Sequence, residues 1–307
     1  MNKFYMTVGL PASGKSTWAE THKDELNAVI HSSDDIRAKL LCNMSDQSKN
    51  TEVFEILHRR VKDDLREGKN VIMDQTGLNR KRRIHMLQNE LRDIPCEKVC
   101  VLFATPYEYC LTRNFARDRQ VPEGAMARMY KNFETPTTHE GFDDVQIVYS
   151  DYDRLPCFKY DIFSDIKRFK QFDQRNRHHK LSLGDHLEKA SQYYLNENNY
   201  ITYYASLLHD VGKFYTQTNY NYKGEYSEDC HYYNHENISA YLSLFYLRNT
   251  DLSDKDILLI SNLISMHMKP HITYKDSKKA YEKDKNIFGC EYMKFLNVVH
   301  EADLYAH

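Results

Sequence analysis

Long hydrophobic runs are missing from this sequence of 307 residues. A helix that crosses a bilayer needs about 20 consecutive apolar residues, and no stretch of the chain reaches that length. The first predicted strand begins at Lys3, without the charged and apolar regions of a secretory signal peptide. We therefore expect a cytoplasmic protein that has no membrane partner.

Paired cysteines are missing as well. The seven cysteines are odd in number and include no C-x-x-C pair, so they predict reduced thiols and not a disulfide framework. An excess of one charge is also absent, because the net charge is only −2. Any surface that binds nucleic acid must then be local. The length predicts about two domains.

Residues 9–17, with the sequence GLPASGKST, fit the phosphate-binding pattern G-x-x-x-x-G-K-[ST]. Gly9 and Gly14 would let backbone N–H groups turn inward around a phosphate. Lys15 would neutralise the β- and γ-phosphates, and the Ser16 hydroxyl would hold Mg²⁺. The pattern predicts a nucleotide site; the alternative is a plain glycine turn between a strand and a helix.

Two carboxylates follow predicted strands. Asp34 follows the strand predicted at residues 27–31 and begins a helix, where Ser33 or Asp34 is a candidate cap. At the carboxyl edge of a parallel sheet, Asp34 would instead take the proton of an attacking hydroxyl. Asp74 ends the apolar strand predicted at residues 70–74, where it would position Mg²⁺ or substrate beside the phosphate loop.

Arginines cluster in two places. Residues 79–83, NRKRR, begin a predicted helix that offers a basic surface to nucleic acid; a solvated face is the alternative. A helix predicted at residues 107–119 carries Arg113 and Arg117 four residues apart, so both belong to one face. That face would clamp phosphates as a lid, and surface arginines paired with Asp or Glu are the alternative.

Strands and helices alternate behind the phosphate loop, which predicts an α/β domain with a doubly wound parallel sheet. The first half of the chain resembles the 5′-hydroxyl polynucleotide kinase family, including the kinase module of phage end-healing kinase-phosphatases. The matching motifs are GLPASGKSTW at 9–18, SDDIR at 33–37, DQTGLNRKRR at 74–83, RNFAR at 113–117 and EGFDD at 140–144. The family often has Asn where this chain has Gly77.

This resemblance implies roles for individual residues. Asp34 is the implied base for the 5′-hydroxyl, Arg37 holds the phosphate next to the acceptor nucleotide, and Arg117 faces the transferred phosphate. Lys15 joins Asp34 and Arg117 as a catalytic residue, and ATP or another nucleoside triphosphate with Mg²⁺ is the implied cofactor. The implied nucleotide-binding residues are Gly9, Ser13, Gly14, Lys15, Ser16, Thr17, Arg113 and Arg117. The implied acceptor-binding residues are Arg37, Asp74, Thr76, Arg80 and Arg83.

Histidines concentrate in the second half, where ten of the fifteen lie from His178 onward, and they hint at a metal site. Residues 154–171 lack clear periodicity and predict a linker, whereas the pattern from Phe172 onward predicts helices throughout. The informative motifs are His186, LLHDVGK at 207–213, His235, His267 and Ala302-Asp303. A structural histidine is the alternative for any single member, but the ordered set favours a metal.

These motifs resemble the HD phosphohydrolase superfamily, an all-α metal-dependent fold, over residues 172–307. The resemblance implies a divalent transition metal, Mn, Ni, Co or Zn, which suits imidazole and carboxylate ligands and activates water. Lys213 would neutralise the scissile phosphate, and Asp210 is the implied catalytic ligand. His179 is implied near the site, while His178, His231 and His271 are expected at the surface. The implied metal ligands are His186, His209, Asp210 and Asp303, with His235 and His267 at second-metal or phosphate positions.

Together the halves predict a bifunctional end-healing enzyme. Residues 1–153 would phosphorylate 5′-hydroxyl ends with ATP, and residues 172–307 would remove a 3′-phosphate or a 2′,3′-cyclic phosphate. The expected partners are nucleic-acid ends, RNA in preference to DNA, and a separate RNA ligase. One alternative is a small-molecule kinase fused to a nucleotidase, against which Arg37, Arg113 and the cluster at residues 80–83 speak. A second is a nucleotide-dependent switch that binds RNA and has a degenerate second half.

Overall fold

The computed structural model describes residues 1–151, 159–176, 180–193 and 199–307. The chain forms two compact units. The N-terminal unit comprises residues 1–129 and 136–152, and the C-terminal unit comprises residues 130–135 and 153–307. Each unit has a buried apolar core of its own.

A five-stranded parallel sheet forms the centre of the N-terminal unit, with the order β2-β3-β1-β4-β5. The central strands β1, β3 and β4 read as continuous apolar runs because both of their faces are buried. The edge strands β2 and β5 are only partly buried. The strands are β1 (Lys3–Val8), β2 (Ala28–Ser32), β3 (Asn70–Asp74), β4 (Glu97–Ala104) and β5 (Asp144–Tyr149).

Helices connect these parallel strands, which confirms the predicted α/β fold. The longest of them buries one stripe, Val53, Leu57, Val61 and Leu65, at the four-residue spacing of a helix that packs on one side. The helices are α1 (Lys15–His22), α2 (Ser33–Leu41), α3 (Asn50–Arg66), α4 (Arg80–His85), α5 (Tyr107–Phe115) and α6 (Glu123–Lys131).

The C-terminal unit is largely helical, as predicted. It differs from the prediction in a short antiparallel hairpin, β6 (Thr218–Tyr220) and β7 (Tyr226–His231), where mostly polar residues replace the helical pattern. A non-helical glycine, Gly289, interrupts the last helix. The helices are α7 (Ile162–Phe169), α8 (Leu183–Gln192), α9 (Tyr200–Leu208), α10 (Lys213–Thr216), α11 (His235–Leu247), α12 (Asp254–Met266) and α13 (Lys278–Ala306).

The stretch predicted to be a linker, residues 154–171, contains α7. Asp161 caps this helix by accepting from the backbone N–H groups of Phe163 and Ser164. Ile162, Ile166 and Phe169 are buried on one helical stripe. Residues 154–158 of the predicted linker lie outside the described residues.

Residues 130–135 belong to the C-terminal unit although residues on both sides of them belong to the N-terminal unit. The rings of Tyr130 and Phe133 pack edge-on against Tyr241 in α11, with centroid distances of 5.3 and 4.7 Å. The Thr135 and Ser261 hydroxyls are hydrogen-bonded at 2.8 Å. These buried contacts tie the short segment to the helical core.

Within the described part of the chain, none of the helices combines the length and the apolar content needed to cross a bilayer. The cysteines that the structure describes are all free thiols. Cys157 lies outside the described residues.

Candidate active sites

The phosphate loop connects β1 to α1 at the carboxyl edge of the sheet. A Cβ atom at Gly9 would lie 2.8 Å from Ser13 Oγ and 2.9 Å from Phe103 Cβ, so only glycine fits there. Gly14 has a φ of +104°, which an L side chain rarely adopts, and it directly precedes α1. The loop therefore aims the N-terminus of α1 at the space where a phosphate would bind.

Lys15 is buried inside this loop. Its Nζ donates hydrogen bonds to the Leu10 carbonyl oxygen at 2.6 Å and to Ser13 Oγ at 3.3 Å. Burial lowers the pKa of Lys15 to about 8, against the carboxylate of Asp74, which raises it. A buried ammonium group gains from an anion beside it, and a nucleotide phosphate would supply that charge.

Ser16 and Asp74 meet at the mouth of the loop. Ser16 Oγ donates to Asp74 Oδ2 at 2.7 Å, and Thr7 Oγ1 lies 3.3 Å from Asp74 Oδ1. A hydroxyl and a carboxylate are the oxygen ligands that Mg²⁺ takes beside phosphates. The Thr76 carbonyl oxygen accepts from the Gly9 N–H at 2.9 Å, so residue 76 fastens β3 to the loop through its backbone.

Gly77 packs closely against β1 beside the loop, where a side chain has no room. Its φ is +58°, and a Cβ atom there would lie 2.9 Å from the Thr7 carbonyl oxygen. Glycine at this position therefore has a local steric reason in this chain.

A cleft of about 1500 Å³ extends from the phosphate loop. Most predicted kinase-site residues line it, and Gly9 lies behind its wall. The residues of that set on the cleft are Ser13, Gly14, Lys15, Ser16, Thr17, Asp34, Arg37, Asp74, Thr76, Arg113 and Arg117.

Asp34 lies in the first turn of α2 with its side chain half exposed to the cleft. Ser32, and neither predicted candidate, caps the helix by accepting from the backbone N–H groups of Asp34 and Asp35. The Asp34 carboxylate therefore does not cap the helix. It accepts from Arg37 Nη1 at 2.8 Å and from Arg119 Nη1 at 2.7 Å.

Arg37 is held more firmly than an ordinary surface arginine. Its side chain is 5% exposed, and its Nη2 donates to Asn50 Oδ1 at 3.0 Å. Its buried Nε makes no hydrogen bond within the described part of the chain. A buried guanidinium with an unused donor is suited to an additional anion.

Arg113 and Arg117 lie beside the loop, but the helix that carries them is shorter than predicted. α5 ends at Phe115, so Arg117 lies beyond the helix in the following turn. Asn114 stabilises this turn: its Nδ2 donates to the Val121 carbonyl oxygen and its Oδ1 accepts from the Val121 N–H. The Arg113 guanidinium stacks on Tyr109, and Arg117 is exposed to the cleft.

Arg80 and Arg83 do not offer a surface to substrate, contrary to the prediction. Arg83 is fully buried and donates from Nε and Nη2 to the two carboxylate oxygens of Glu140 at 2.6 and 2.7 Å. Arg80 Nε lies 3.4 Å from the same carboxylate. Burial removes water from the guanidinium groups, so both arginines need a carboxylate partner inside the protein. Glu140 is that partner, which leaves the two arginines unavailable to substrate.

The second site is a buried cluster of histidines and aspartates in the C-terminal unit. His186 of α8, His209 and Asp210 after α9, and Asp303 of α13 place one ligand atom each within 4.8 Å of one another. His186 Nε2 lies 3.2 Å from His209 Nε2 and 3.2 Å from Asp303 Oδ1. Asp210, His235 and His267 form an adjoining group.

Backbone carbonyls orient three of these imidazoles. The Nδ1 atoms of His209, His235 and His267 each lie 2.7 Å from a carbonyl oxygen three residues earlier. An Nδ1–H that donates to such an oxygen leaves Nε2 unprotonated and free to bind a metal. All three Nε2 atoms lie 3.0–3.5 Å from an oxygen of Asp210.

The charges and the unused atoms of the cluster fit a divalent cation. Burial raises the pKa of Asp210, but the Lys213 ammonium, 2.6 Å from its Oδ2, and the His209 imidazole hold that pKa well below its usual range. Asp210 Oδ1, Asp303 Oδ1 and His235 Nε2 are buried without hydrogen bonds inside the described residues. Imidazole and carboxylate donors of this kind suit Mn, Ni, Co or Zn.

Gly212 brings α11 to the His209-Asp210 turn. A Cβ atom at Gly212 would lie 2.3 Å from the His235 carbonyl oxygen and 2.8 Å from Ser239 Oγ. The Gly212 N–H donates to Ser239 Oγ at 2.8 Å. This backbone approach is what places His235 beside Asp210.

Sequence reasoning missed several residues of the two sites. His271 was expected at the surface, yet its Nε2 lies 2.8 Å from Asp303 Oδ2. His307, four residues after Asp303, lies 3.4 Å from its Oδ1. His231 is also not a surface residue: it is half-buried and stacked on Tyr233. The i, i+4 spacings His267–His271 and Asp303–His307 were an available signal.

In the N-terminal unit the missed residue is Arg119, and no local pattern distinguishes it from other arginines. His178 and His179 lie outside the described residues.

Comparisons with known proteins give a family match for part of the chain. Residues 4–136 match the sequence model of the AAA domain family. "Transcription factor bHLH140" of Arabidopsis thaliana is 27% identical over 155 residues, which is 48% of this chain and 16% of that protein. L-seryl-tRNA(Sec) kinase of Methanococcus maripaludis is 27% identical over 142 residues, which is 44% of this chain and 54% of that protein.

Among solved structures, that of the Pnkp1/Rnl/Hen1 RNA repair complex is similar to 42% of this chain and 42% of its own matched chain, with 23% identity and a TM-score of 0.37. The chain spans 16% and 54% of the lengths of the two curated relatives. The family match and the loop geometry identify the N-terminal unit as a P-loop domain, followed by a largely helical unit with a buried His/Asp cluster.

Proposed function

We propose that this chain is a bifunctional enzyme that heals the ends of broken nucleic acid. Its N-terminal unit transfers the γ-phosphate of ATP, or of another nucleoside triphosphate, to a 5′-hydroxyl end. Its C-terminal unit is an HD-type phosphohydrolase that removes a 3′-phosphate or a 2′,3′-cyclic phosphate. The main support for this proposal is that one chain combines a phosphate-loop cleft containing Asp34 and Arg37 with a buried His/Asp cluster.

The kinase assignment rests on the arrangement around the phosphate loop. Lys15 is buried in the loop and would neutralise the donor phosphates, and Ser16 with Asp74 would hold Mg²⁺. Asp34, uncapped and half exposed to the cleft, is the group that takes the proton of the acceptor hydroxyl. Arg113 and Arg117 lie on the same cleft and would neutralise the transferred phosphate.

The polynucleotide assignment rests on positive charge around Asp34. Two guanidinium groups, those of Arg37 and Arg119, share this single carboxylate, and Arg37 Nε makes no hydrogen bond within the described residues. A nucleoside offers no anion to these two groups, whereas a polynucleotide acceptor carries a phosphodiester next to its terminal nucleoside. The relative named L-seryl-tRNA(Sec) kinase supports a hydroxyl acceptor carried by RNA.

The phosphohydrolase assignment rests on the buried cluster. His186, His209, Asp210 and Asp303 would hold a divalent transition metal, with His235 and His267 at a second position. Such a metal supplies an activated water and polarises the phosphoryl oxygen. Lys213 is the cation placed to receive the phosphate charge beside the metal ligands.

The experiment uses an RNA oligonucleotide with a 5′-hydroxyl and a 2′,3′-cyclic phosphate, incubated with the whole protein, ATP, Mg²⁺ and Mn²⁺. Mass spectrometry of each end should find a phosphate gained at the 5′ end and lost at the 3′ end. Asp34→Asn should abolish only the first change and Asp210→Asn only the second. The same oligonucleotide with a linear 3′-phosphate, or made of DNA, tests the choice of substrate.

Small-molecule metabolism is the alternative. An oligonucleotide unchanged at both ends, together with ATP-dependent phosphorylation of a free nucleoside, would overturn the end-healing proposal. If the proposal holds, the healed RNA should become a substrate for a separate RNA ligase added to the reaction, and untreated RNA should not.

A further inference from the structure

Arg119 connects three segments that line the kinase cleft. Its Nη1 donates to Asp34 Oδ2 at 2.7 Å. Its Nε donates to Ser45 Oγ at 3.1 Å, and its Nη2 donates to the Met44 carbonyl oxygen at 2.9 Å. One side chain from the turn after α5 thus reaches the start of α2 and the α2–α3 connection.

These contacts engage both carboxylate oxygens of the proposed base, whose side chain is half exposed to the cleft. Asp34 Oδ1 accepts from Arg37 and Oδ2 accepts from Arg119, so each carboxylate oxygen already has a charged donor. An acceptor hydroxyl must approach the same carboxylate to lose its proton. Arg119, at 32% exposure, is the outer of the two arginines, whereas Arg37 is buried and fixed by Asn50. The outer arginine is therefore the one that can move.

We propose that Arg119 is a positioning and specificity residue of the kinase unit: it rests on Asp34 until the phosphodiester of an acceptor draws its guanidinium away. This inference rests on the proposed kinase function. A phosphodiester oxygen and a guanidinium form a charge-assisted hydrogen bond, often with two parallel contacts. The move exchanges the Asp34 carboxylate for the acceptor phosphate and releases Asp34 Oδ2 to accept a proton in the same step.

The exchange makes the acceptor phosphate a condition for catalysis. With a nucleoside, Arg119 has no phosphate to bind and stays on Asp34. With a polynucleotide end, the phosphate binds between Arg37, whose Nε is unused, and the displaced Arg119. The geometry thus explains how the site would reject free nucleosides without any contact to the nucleobase.

Direct binding measurements test this independently of turnover. Titration calorimetry compares a 5′-hydroxyl dinucleotide, which carries one phosphodiester, with the matching nucleoside. The wild type should prefer the dinucleotide. Arg119→Ala should weaken dinucleotide binding about 10- to 100-fold, the range for losing one hydrogen bond to a charged group, and leave nucleoside binding unchanged. Arg119→Lys should restore part of the loss.

Asp34→Ala gives the opposite expected result. Without the carboxylate that competes for Arg119, this variant should bind the dinucleotide several-fold more tightly than the wild type. In the Asp34→Ala/Arg119→Ala double variant that gain should disappear, which is the coupling that a double-mutant cycle measures. Arg60→Ala, an exposed arginine of α3 outside the cleft, is the matched control and should bind as the wild type does.

The outcomes separate this inference from the proposed function. If the wild type prefers the dinucleotide and Arg119→Ala keeps that preference in full, Arg119 has only a structural role and the inference is wrong. If the wild type does not distinguish the two ligands, both the polynucleotide assignment and the inference are wrong. Steady-state kinetics adds a further criterion: Arg119→Ala should raise the oligonucleotide KM far more than it lowers kcat.

Discussion

The burial of the Lys15 ammonium group lowers the free energy of unfolding of the nucleotide-free protein. Its pKa is about 8 in the folded protein, against an ordinary value of 10.5. Below pH 8 the side chain is charged in both the folded and unfolded states, so the full cost of burying the ammonium is present. Between pH 8 and 10.5 the folded state has already lost its proton while the unfolded state keeps it, so stability rises with pH.

Lys15→Met should therefore stabilise the N-terminal unit at pH 7 by up to about 3 kcal/mol, the free-energy equivalent of the pKa shift. The rise in stability between pH 8 and 10.5 should disappear in the variant, and nucleotide binding should be lost. Urea unfolding followed by the fluorescence of Trp18, the chain's one tryptophan, reports on this unit. Lys39→Met, at an exposed lysine, is the control, and a destabilised Lys15→Met variant would contradict the argument.

Glu140 is a second residue whose charge is fixed by burial. Glu140→Gln should leave Arg83 buried without a carboxylate and cost about 3–5 kcal/mol of unfolding free energy. Trp18-monitored urea unfolding measures this, and Lys81→Gln on the exposed face of α4 should change little. A Glu140→Met/Arg83→Met double variant should recover most of the loss. Equal stability of Glu140→Gln and the wild type would revive a substrate-binding role for Arg83.

The site residues differ in how far the sequence could reveal them. The phosphate loop is a local pattern, and its backbone geometry follows from residues that are neighbours in the chain. Arg83 and Glu140 are 57 residues apart, and Arg119 and Asp34 are 85 apart. A local pattern contains no information about such partners, so the same residue type, arginine, was assigned to substrate in one place and overlooked in another.

At the scale of elements, Gly212 sets the distance between α11 and the His209-Asp210 turn. Gly212→Ala would force the His235 carbonyl oxygen away from a Cβ that has no room, and His235 would move with it. We expect the variant to bind Mn²⁺ at least about 10-fold more weakly, as measured by titration calorimetry. Gly124→Ala in α6, where a Cβ has ordinary contacts, should bind Mn²⁺ as the wild type does.

Elements with a clear period were predictable, and the misses have physical causes. α3 repeats apolar residues at the spacing of a helix that packs on one side, so its sequence contains a clear helical signal. α7 contains the same signal, because Ile162, Ile166 and Phe169 lie at positions i, i+4 and i+7, so this helix could have been predicted from the sequence. The strands of the hairpin β6–β7 are short and mostly polar, so they carry little strand signal. Tertiary hydrogen bonds, such as the one from the Cys230 N–H to the Arg175 carbonyl oxygen, hold the hairpin.

At the scale of the molecule, a metal should stabilise one unit and not the other. A metal that binds only the folded state at 100 times its Kd adds about 2.7 kcal/mol to the unfolding free energy. Mn²⁺ should therefore slow hydrogen exchange in α9 and α11 and leave the Trp18-monitored transition unchanged. Chelation should reverse the effect.

Asp303→Asn should remove this response to Mn²⁺, because it deletes a buried carboxylate ligand atom that lacks a hydrogen bond. Asp251→Asn, at an exposed aspartate, should keep it. Equal protection by Mn²⁺ in the Asp303→Asn variant and the wild type would place the metal elsewhere.

The path of the chain has a consequence for heredity. Because residues 130–135 belong to the helical core while residues 136–152 return to the sheet, no single cut in the gene separates the two units. A break before residue 130 would leave the N-terminal fragment without β5. A break after residue 152 would separate Tyr130 and Phe133 from Tyr241, against which they pack. Recombination is therefore expected to transfer the coding sequences of both units together.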